Sequence, residues 1–177
     1  IDYGPYGWVD NFDLHWTPNT TDAEGLRYCF GRQPAIARWN LQRLAEALAT
    51  VIPDQAIFSE GLTAFDETFA LEMGNMLAAK LGWQQWQPED SELVNRLFDL
   101  LQQLEVDMTL FFRLLAYIDV YAPDLSLLAE AFYRDDLWRQ YQPACSQWLN
   151  DYCARVLAEG ALPVDRVTRM EQVNPLY

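Results

Sequence analysis

Apolar positions recur at helical spacing over most of the chain after residue 33. Ile36, Leu41, Leu44, Ala45 and Leu48, with Asn40 among them, repeat at intervals of three and four, which predicts a helix opening at Pro34 and closed by Pro53. Pro34 suits a first helical position because the N–H it lacks would have no intrahelical partner there. A second stripe, Phe58, Leu62, Phe65, Phe69, Met73, Met76 and Lys80, predicts the clearest helix, a core-facing one capped at its C-terminus by Gly82 and weakened inside by Gly61 and Gly74. Leu93, Leu97, Phe98, Leu101 and Leu104 mark a third helix after Pro88. Met108, Phe111, Phe112, Leu115 and Ile118 mark a fourth, with Asp107 as its N-cap. Asp124 can start a short fifth one. The long stripe Trp138, Tyr141, Cys145, Trp148, Tyr152 and Val156 ends at Gly160, and Pro143 within it is expected to kink or split the helix. Pro163 opens a last short helix to about Met170.

Residues 1–33 read differently. They are rich in Asp, Asn, Thr, Pro and Gly, and Trp8, Phe12 and Trp16 stand four apart but are interrupted by turn formers, which predicts a long ordered loop. Asp10, Asp13 and Asp22 in such a loop are expected to satisfy backbone N–H groups rather than to hold a second metal. No segment shows sustained strand alternation bounded by hairpin turns, and no solenoid-length repeat is present, so the predicted class is all-α with a long N-terminal loop.

At 177 residues and 51% hydrophobic content, a chain can bury about 70% of the surface its unfolded form exposes, enough for a single core. The net charge of −14, from 26 acids against 12 bases, argues against a nucleic acid or an anionic membrane as partner, because phosphate contacts need clustered Lys and Arg. No apolar run approaches the roughly 20 residues of a membrane span. Cys29, Cys145 and Cys153 form no Cys-x-x-Cys pair, and Cys145 and Cys153 on one helix would stand about 12 Å apart, too far to bond. His15 is the only histidine, so neither a His-ligated metal site nor Ser-His-Asp machinery can be assembled.

Asp2-Tyr3-Gly4-Pro5 is an Asp-aromatic-Gly element of the kind by which kinase-like folds present a metal-binding carboxylate. It stands with Pro18-Asn19-Thr20-Thr21-Asp22, Arg27-Tyr28, Gln33-Pro34 and Trp39-Asn40-Leu41. More thinly, Asp107-Met108-Thr109, Phe112-Arg113-Leu114, Arg169-Met170 and Val173-Asn174-Pro175-Leu176-Tyr177 continue the series. Together these elements closely resemble the selenoprotein O family of kinase-like protein nucleotidyltransferases, densely in the first fifty residues.

The resemblance implies a helical large-lobe (C-lobe) part of a protein-kinase-like fold. Residues 1–33 would be an activation-segment-like loop starting at the metal-binding Asp, and residues 34–177 the helical domain. It implies a pseudokinase-type enzyme that moves AMP from ATP onto Ser, Thr or Tyr hydroxyls of other proteins, with Mg²⁺ or Mn²⁺ as the ion and Asp2 as the one residue here that contacts metal and ATP. The family's glycine-rich turn, its Lys-Glu ion pair and its Asp-Asn catalytic loop are not found in this sequence, so both ends are expected to be truncated and the fragment alone to be inert. The resemblance places the protein in the cytoplasm of a bacterium or the mitochondrion of a eukaryote.

Pro18 stands where many relatives have a Cys able to pair with a C-terminal one, which puts that redox control in doubt. Arg27, Arg32, Arg38 and Trp39 can position a protein substrate or the loop, or brace carboxylates of so acidic a domain, and bracing is the expectation. The alternative reading of the whole chain is a non-catalytic helical interaction module. An ordinary kinase lobe is disfavoured by the missing Ala-Pro-Glu element.

Overall fold

A computed structural model describes residues 9, 11–18, 24–160 and 163–175. Six α-helices account for most of them: α1 Gln33–Leu48, α2 Ala56–Leu81, α3 Asp90–Leu104, α4 Met108–Leu115, α5 Asp135–Ala158 and α6 Pro163–Val173. Short 3-10 segments cover Phe30–Arg32 and Leu125–Ala131. The only β pairing among the described residues is an isolated bridge between Val106 and Phe132, so the class is all-α.

The chain forms two compact units, one of residues 1–9 and 13–73, the other of residues 10–12 and 74–177. In the first, α1 starts where expected, with a proline in its first turn. Its apolar positions are not a closed core, however. Leu44, Leu48, Val51, Ile57 and Leu71 are exposed, and an open apolar groove of about 200 Å³ runs between α1 and the start of α2, lined by Leu41, Leu44, Leu48, Ile57, Phe58 and Leu62. The α2 stripe is accordingly only half-buried from Phe58 to Met73, and Met76 is exposed. Full burial begins at Leu77, Ala78 and Leu81, in the second unit.

That unit holds the core. α3 packs on α5, α4 on the 3-10 segment 125–131 and on α6. Leu97, Leu101, Leu104, Phe112, Leu115 and Leu149 are nearly inaccessible, and each such side chain contributes about 1.5–3 kcal/mol by leaving water. The caps follow from local chemistry. Asp107 accepts from Leu110 N at 2.9 Å to start α4, Asp124 accepts from Ser126 N at 2.9 Å, and Gly82 (φ 74°) and Gly160 (φ 65°) take the left-handed conformation that closes α2 and α5. At Gly82 a side chain is doubly excluded, since a Cβ would lie 2.5 Å from Arg166 Cγ.

Pro143 does not split its helix: α5 runs unbroken from Asp135 to Ala158. The chain is anchored on both sides of the proline, by Trp138 stacked on Phe132 at 4.4 Å and by the buried Cys145, Trp148 and Tyr152. Packing of that face outweighs the one backbone hydrogen bond the proline forfeits. Several polar groups in the core are matched, although Trp83 Nε1 and Arg166 Nε have no hydrogen-bond partner among the described residues. Trp148 Nε1 donates to Leu93 O (2.9 Å), and Tyr152 Oη donates to Leu81 O (2.8 Å). Buried Asp90 accepts from Arg155 Nε (2.5 Å), Arg155 Nη2 (3.0 Å) and Gln87 N (2.8 Å). Removing one partner of a buried ion pair strands the other charge, so Asp90→Ala is expected to lower stability by about 3 kcal/mol, read as a drop in the urea midpoint.

Candidate functional site

Asp2, with Asp10 and Asp22, lies outside the described residues, so the reading of Asp2 as a metal and ATP ligand stays with the sequence. The loop that follows is described over residues 11–18 and 24–32. Asp13 behaves as expected of a turn former: its carboxylate accepts from His15 N at 2.9 Å. Two backbone bonds then pin the loop's two arms together, Phe30 N to Trp16 O (2.9 Å) and Gly31 N to Leu14 O (2.8 Å). A Cβ on Gly31 would meet both Leu14 O and Leu14 Cβ at 3.0 Å, so only glycine lets the strands of backbone come this close. Gln33 Nε2 donates to Tyr28 O at 2.5 Å, and Arg32 Nη1 donates to Gly25 O at 2.8 Å. The Gln33-Pro34 element therefore serves as the clasp between loop and helix α1.

The four arginines of this region divide. Arg38 braces Asp66 through Nε at 2.8 and 3.0 Å, and Arg43 pairs with Glu46. Arg32 serves backbone carbonyls instead. Arg27 and Arg43 both stand over the ring of Trp39, at 5.2 and 5.6 Å from its centroid. Bracing of carboxylates thus holds for Arg38 but does not describe Arg27.

In the second unit the Asn174-Pro175 element is held by residues far away in sequence. Asn174 is buried; its Oδ1 accepts from Lys80 Nζ (2.9 Å), its Nδ2 donates to Lys80 O (2.9 Å), its N donates to Met170 O (2.8 Å) and its O accepts from Arg113 Nη1 (2.9 Å). Glu171 ties in from the same helix, accepting from Tyr117 Oη and pairing with Arg113 at 3.5 Å. Arg166 is the residue that sequence reasoning missed. It is almost wholly buried and donates to Leu115 O (3.1 Å), Ala116 O (3.0 Å), Ile118 O (2.6 Å) and Tyr152 Oη (3.0 Å), so a cation closes the carbonyl end of α4. A signal was present: Arg166, Met170 and Asn174 stand four apart and are all buried, the first two on α6 and the third just past its end.

None of this second-unit cluster is arranged as reactive chemistry. Among the described residues no group of three or more His, Cys, Asp or Glu could hold a metal ion. Cys29, Cys145 and Cys153 are free and buried, and burial pushes the thiols of Cys145 and Cys153 up to about 11. They are poor nucleophiles in the folded state. A disulfide reagent at pH 8 is expected to label none of the three quickly in the native chain and all three after unfolding in urea.

Tyr152, also by burial, is raised to about 12. Between pH 9 and 12 the folded chain keeps these three protons while the unfolded chain releases them, so stability is full below about pH 9 and falls as pH rises. Lys80, lowered by burial, works in the opposite sense: the folded chain gives up that proton first, and stability gains toward pH 10.5. Tyr117, raised by its hydrogen bond to Glu171, acts with the three raised groups, so four oppose Lys80 and the melting temperature is expected to drop above pH 9.

A family model described as Protein adenylyltransferase SelO matches residues 1–177, the entire sequence. The chain belongs to this family. Protein nucleotidyltransferase YdiU of Tolumonas auensis is 77% identical over all 177 residues, and the proteins of the same name from Methylobacillus flagellatus and Xanthomonas campestris pv. campestris are 54% and 48% identical over the same span. In each case the match covers 34% of the relative's own length, so the chain spans about a third of these SelO-family proteins. The all-helical fold and the clasped loop are therefore features of one part of such a protein. No helix among the described residues is long and apolar enough to cross a membrane.

Proposed function

We propose that this chain is the helical large-lobe part of a kinase-like protein adenylyltransferase that transfers AMP from ATP to Ser, Thr or Tyr hydroxyls of other proteins. The observation that carries the reading is the family match over the entire sequence, supported by relatives named as protein nucleotidyltransferases at up to 77% identity. In this reading residues 1–33 are an activation-segment-like loop, and Asp2 is the carboxylate at its start that contacts Mg²⁺ or Mn²⁺ and, through it, ATP. A hard divalent ion held by one or two carboxylates and phosphate oxygens supplies neutralisation of the charge on the transferring phosphoryl group. Were Asp2 such a ligand, a glycine at position 4 would permit a sharp turn beside it and a proline at position 5 would stiffen the exit.

The pinning of Leu14 and Trp16 to Gly31 and Phe30 supports the loop reading, because it joins the two arms of that segment immediately before α1. Activity belongs to the longer polypeptide, since the catalytic loop's base and its metal-sharing Asn are not among these residues. The test is to incubate that polypeptide with ATP and Mg²⁺ or Mn²⁺ and a mixture of proteins, and to search Ser, Thr and Tyr by peptide mass spectrometry. AMP-bearing side chains are expected. Their absence with either ion would defeat the reading.

A further inference from the structure

The stretch 25–45 carries Arg27, Arg32, Arg38 and Arg43 and not one Asp or Glu, in a chain whose acids outnumber its bases 26 to 12. Three of these arginines are committed: Arg32 to the carbonyl of Gly25, Arg38 to Asp66 and Arg43 to Glu46. Arg27 is exposed and has no carboxylate partner among the described residues. Its guanidinium stands 5.2 Å from the centroid of Trp39, and that of Arg43 stands 5.6 Å from the same ring. Trp39 itself is 40% exposed on α1.

Two like charges drawn to one exposed ring repel one another, and the single carboxylate of Glu46 offsets only one of them. The arrangement is complementary to incoming carboxylates. Exposed Trp flanked by Arg is also the residue combination in which binding energy concentrates, because the ring buries a large area and the guanidinium forks match carboxylate geometry. A nucleic acid is the poorer fit: beyond this patch its phosphates would meet a chain of net charge −14. A short acidic peptide places its few charges on the patch and no more.

We infer that Arg27, Trp39 and Arg43 form a docking point for an acidic segment of the protein substrate, with an Asp or Glu side chain pairing to the Arg27 guanidinium, Arg43 staying on Glu46 beside the ring, and the segment's apolar atoms covering the Trp39 ring. The inference rests on the proposed AMP transfer and names the substrate class that the same enzyme prefers: hydroxyls flanked by acidic residues. The patch sits directly after the loop clasp, on the first helix beyond the activation-segment-like residues.

The experiment uses the full-length polypeptide and two synthetic peptides, each with a central Tyr, one flanked by Glu and the other by Gln. The unaltered protein is expected to show a kcat/KM ratio of roughly tenfold or more in favour of the Glu-flanked peptide, expressed mainly in KM. Arg27→Glu is expected to bring that ratio to about one, Trp39→Ala to reduce it, and Arg27→Lys, which keeps the charge, to retain part of it. A ratio of about one in the unaltered protein, or one that survives both Arg27→Glu and Trp39→Ala, overturns the inference.

A second readout is independent of catalysis. The indole N–H resonance of Trp39, identified by its loss in Trp39→Phe, is expected to move on addition of the Glu-flanked peptide and to stay put with the Gln-flanked one. If neither peptide receives AMP but this resonance moves, the docking point stands while the reading of the reaction fails. If it moves with protein concentration alone, or more strongly with a DNA oligonucleotide, the patch serves self-association or nucleic acid and the inference fails.

Discussion

Replacing Asp2 with Ala in the full-length polypeptide is expected to slow AMP transfer by at least roughly a hundredfold, while leaving the fold intact. The magnitude follows from what a metal-holding carboxylate supplies. A bound divalent ion contributes several kcal/mol of charge stabilisation in phosphoryl chemistry, and each 1.36 kcal/mol is a factor of ten in rate. Losing one of the ion's few protein ligands removes a large share of that. Asp13→Ala is the matching control, because the Asp13 carboxylate is occupied with the backbone N–H of His15 and shapes a turn. Single-turnover rates of both variants, with melting temperatures measured alongside, separate chemistry from folding. An Asp2→Ala protein as fast as the unaltered one would remove Asp2 from the site.

Arg166→Met is expected to destabilise the fold strongly, by about 2 kcal/mol or more. The methionine fills similar volume, so the loss is not a cavity. It is the stranding of two buried carbonyls, those of Ala116 and Ile118, while Leu115 O keeps Ile118 N (3.3 Å) and the Tyr152 hydroxyl keeps Leu81 O (2.8 Å). Each buried polar group left unpaired costs about 1–3 kcal/mol. Against this, the variant is relieved of holding a cation out of water, a penalty of several kcal/mol per ion. The carbonyls prevail because they are the orphaned end of α4 and belong to residues almost wholly buried. The urea midpoint of the 177-residue chain measures the difference. A shift no larger than that of an exposed substitution would show that the carbonyls find other donors.

Local chemistry was legible in the sequence where short range decides. Asp107 and Asp124 as caps, Gly82 and Gly160 as helix ends, Pro34 and Pro163 in opening turns, and the six helices themselves follow from spacing and capping. In two places long-range packing overrode the local rule. Pro143 sits inside a continuous α5, held by anchors on either side. The α2 stripe read as core, yet it is half-buried from Phe58 to Met73 and exposed at Met76, while full burial in α2 falls on Gly74, Leu77, Ala78 and Leu81, since apolar spacing says which face is apolar and not whether anything covers it.

Arg166 escaped notice for a related reason. An arginine in a short polar helix reads as solvated, and nothing local reveals that α4 ends on it fifty residues earlier. Asn174 was noticed only through its motif; Lys80 and Arg113, which hold it, lie 94 and 61 residues away. The same holds for Arg27, whose pairing with Trp39 needed the turn from loop into α1.

The central claim is that the polypeptide carrying this chain transfers the AMP moiety of ATP to protein hydroxyls. Supplying that polypeptide with ATP labelled in either the α- or the γ-phosphate, in the presence of Mg²⁺ or Mn²⁺, and following label into protein tests it most directly. Label entering protein from the α position and not from the γ position is the predicted result. Label entering from the γ position alone would make the enzyme a phosphoryl-transferring kinase and contradict the account.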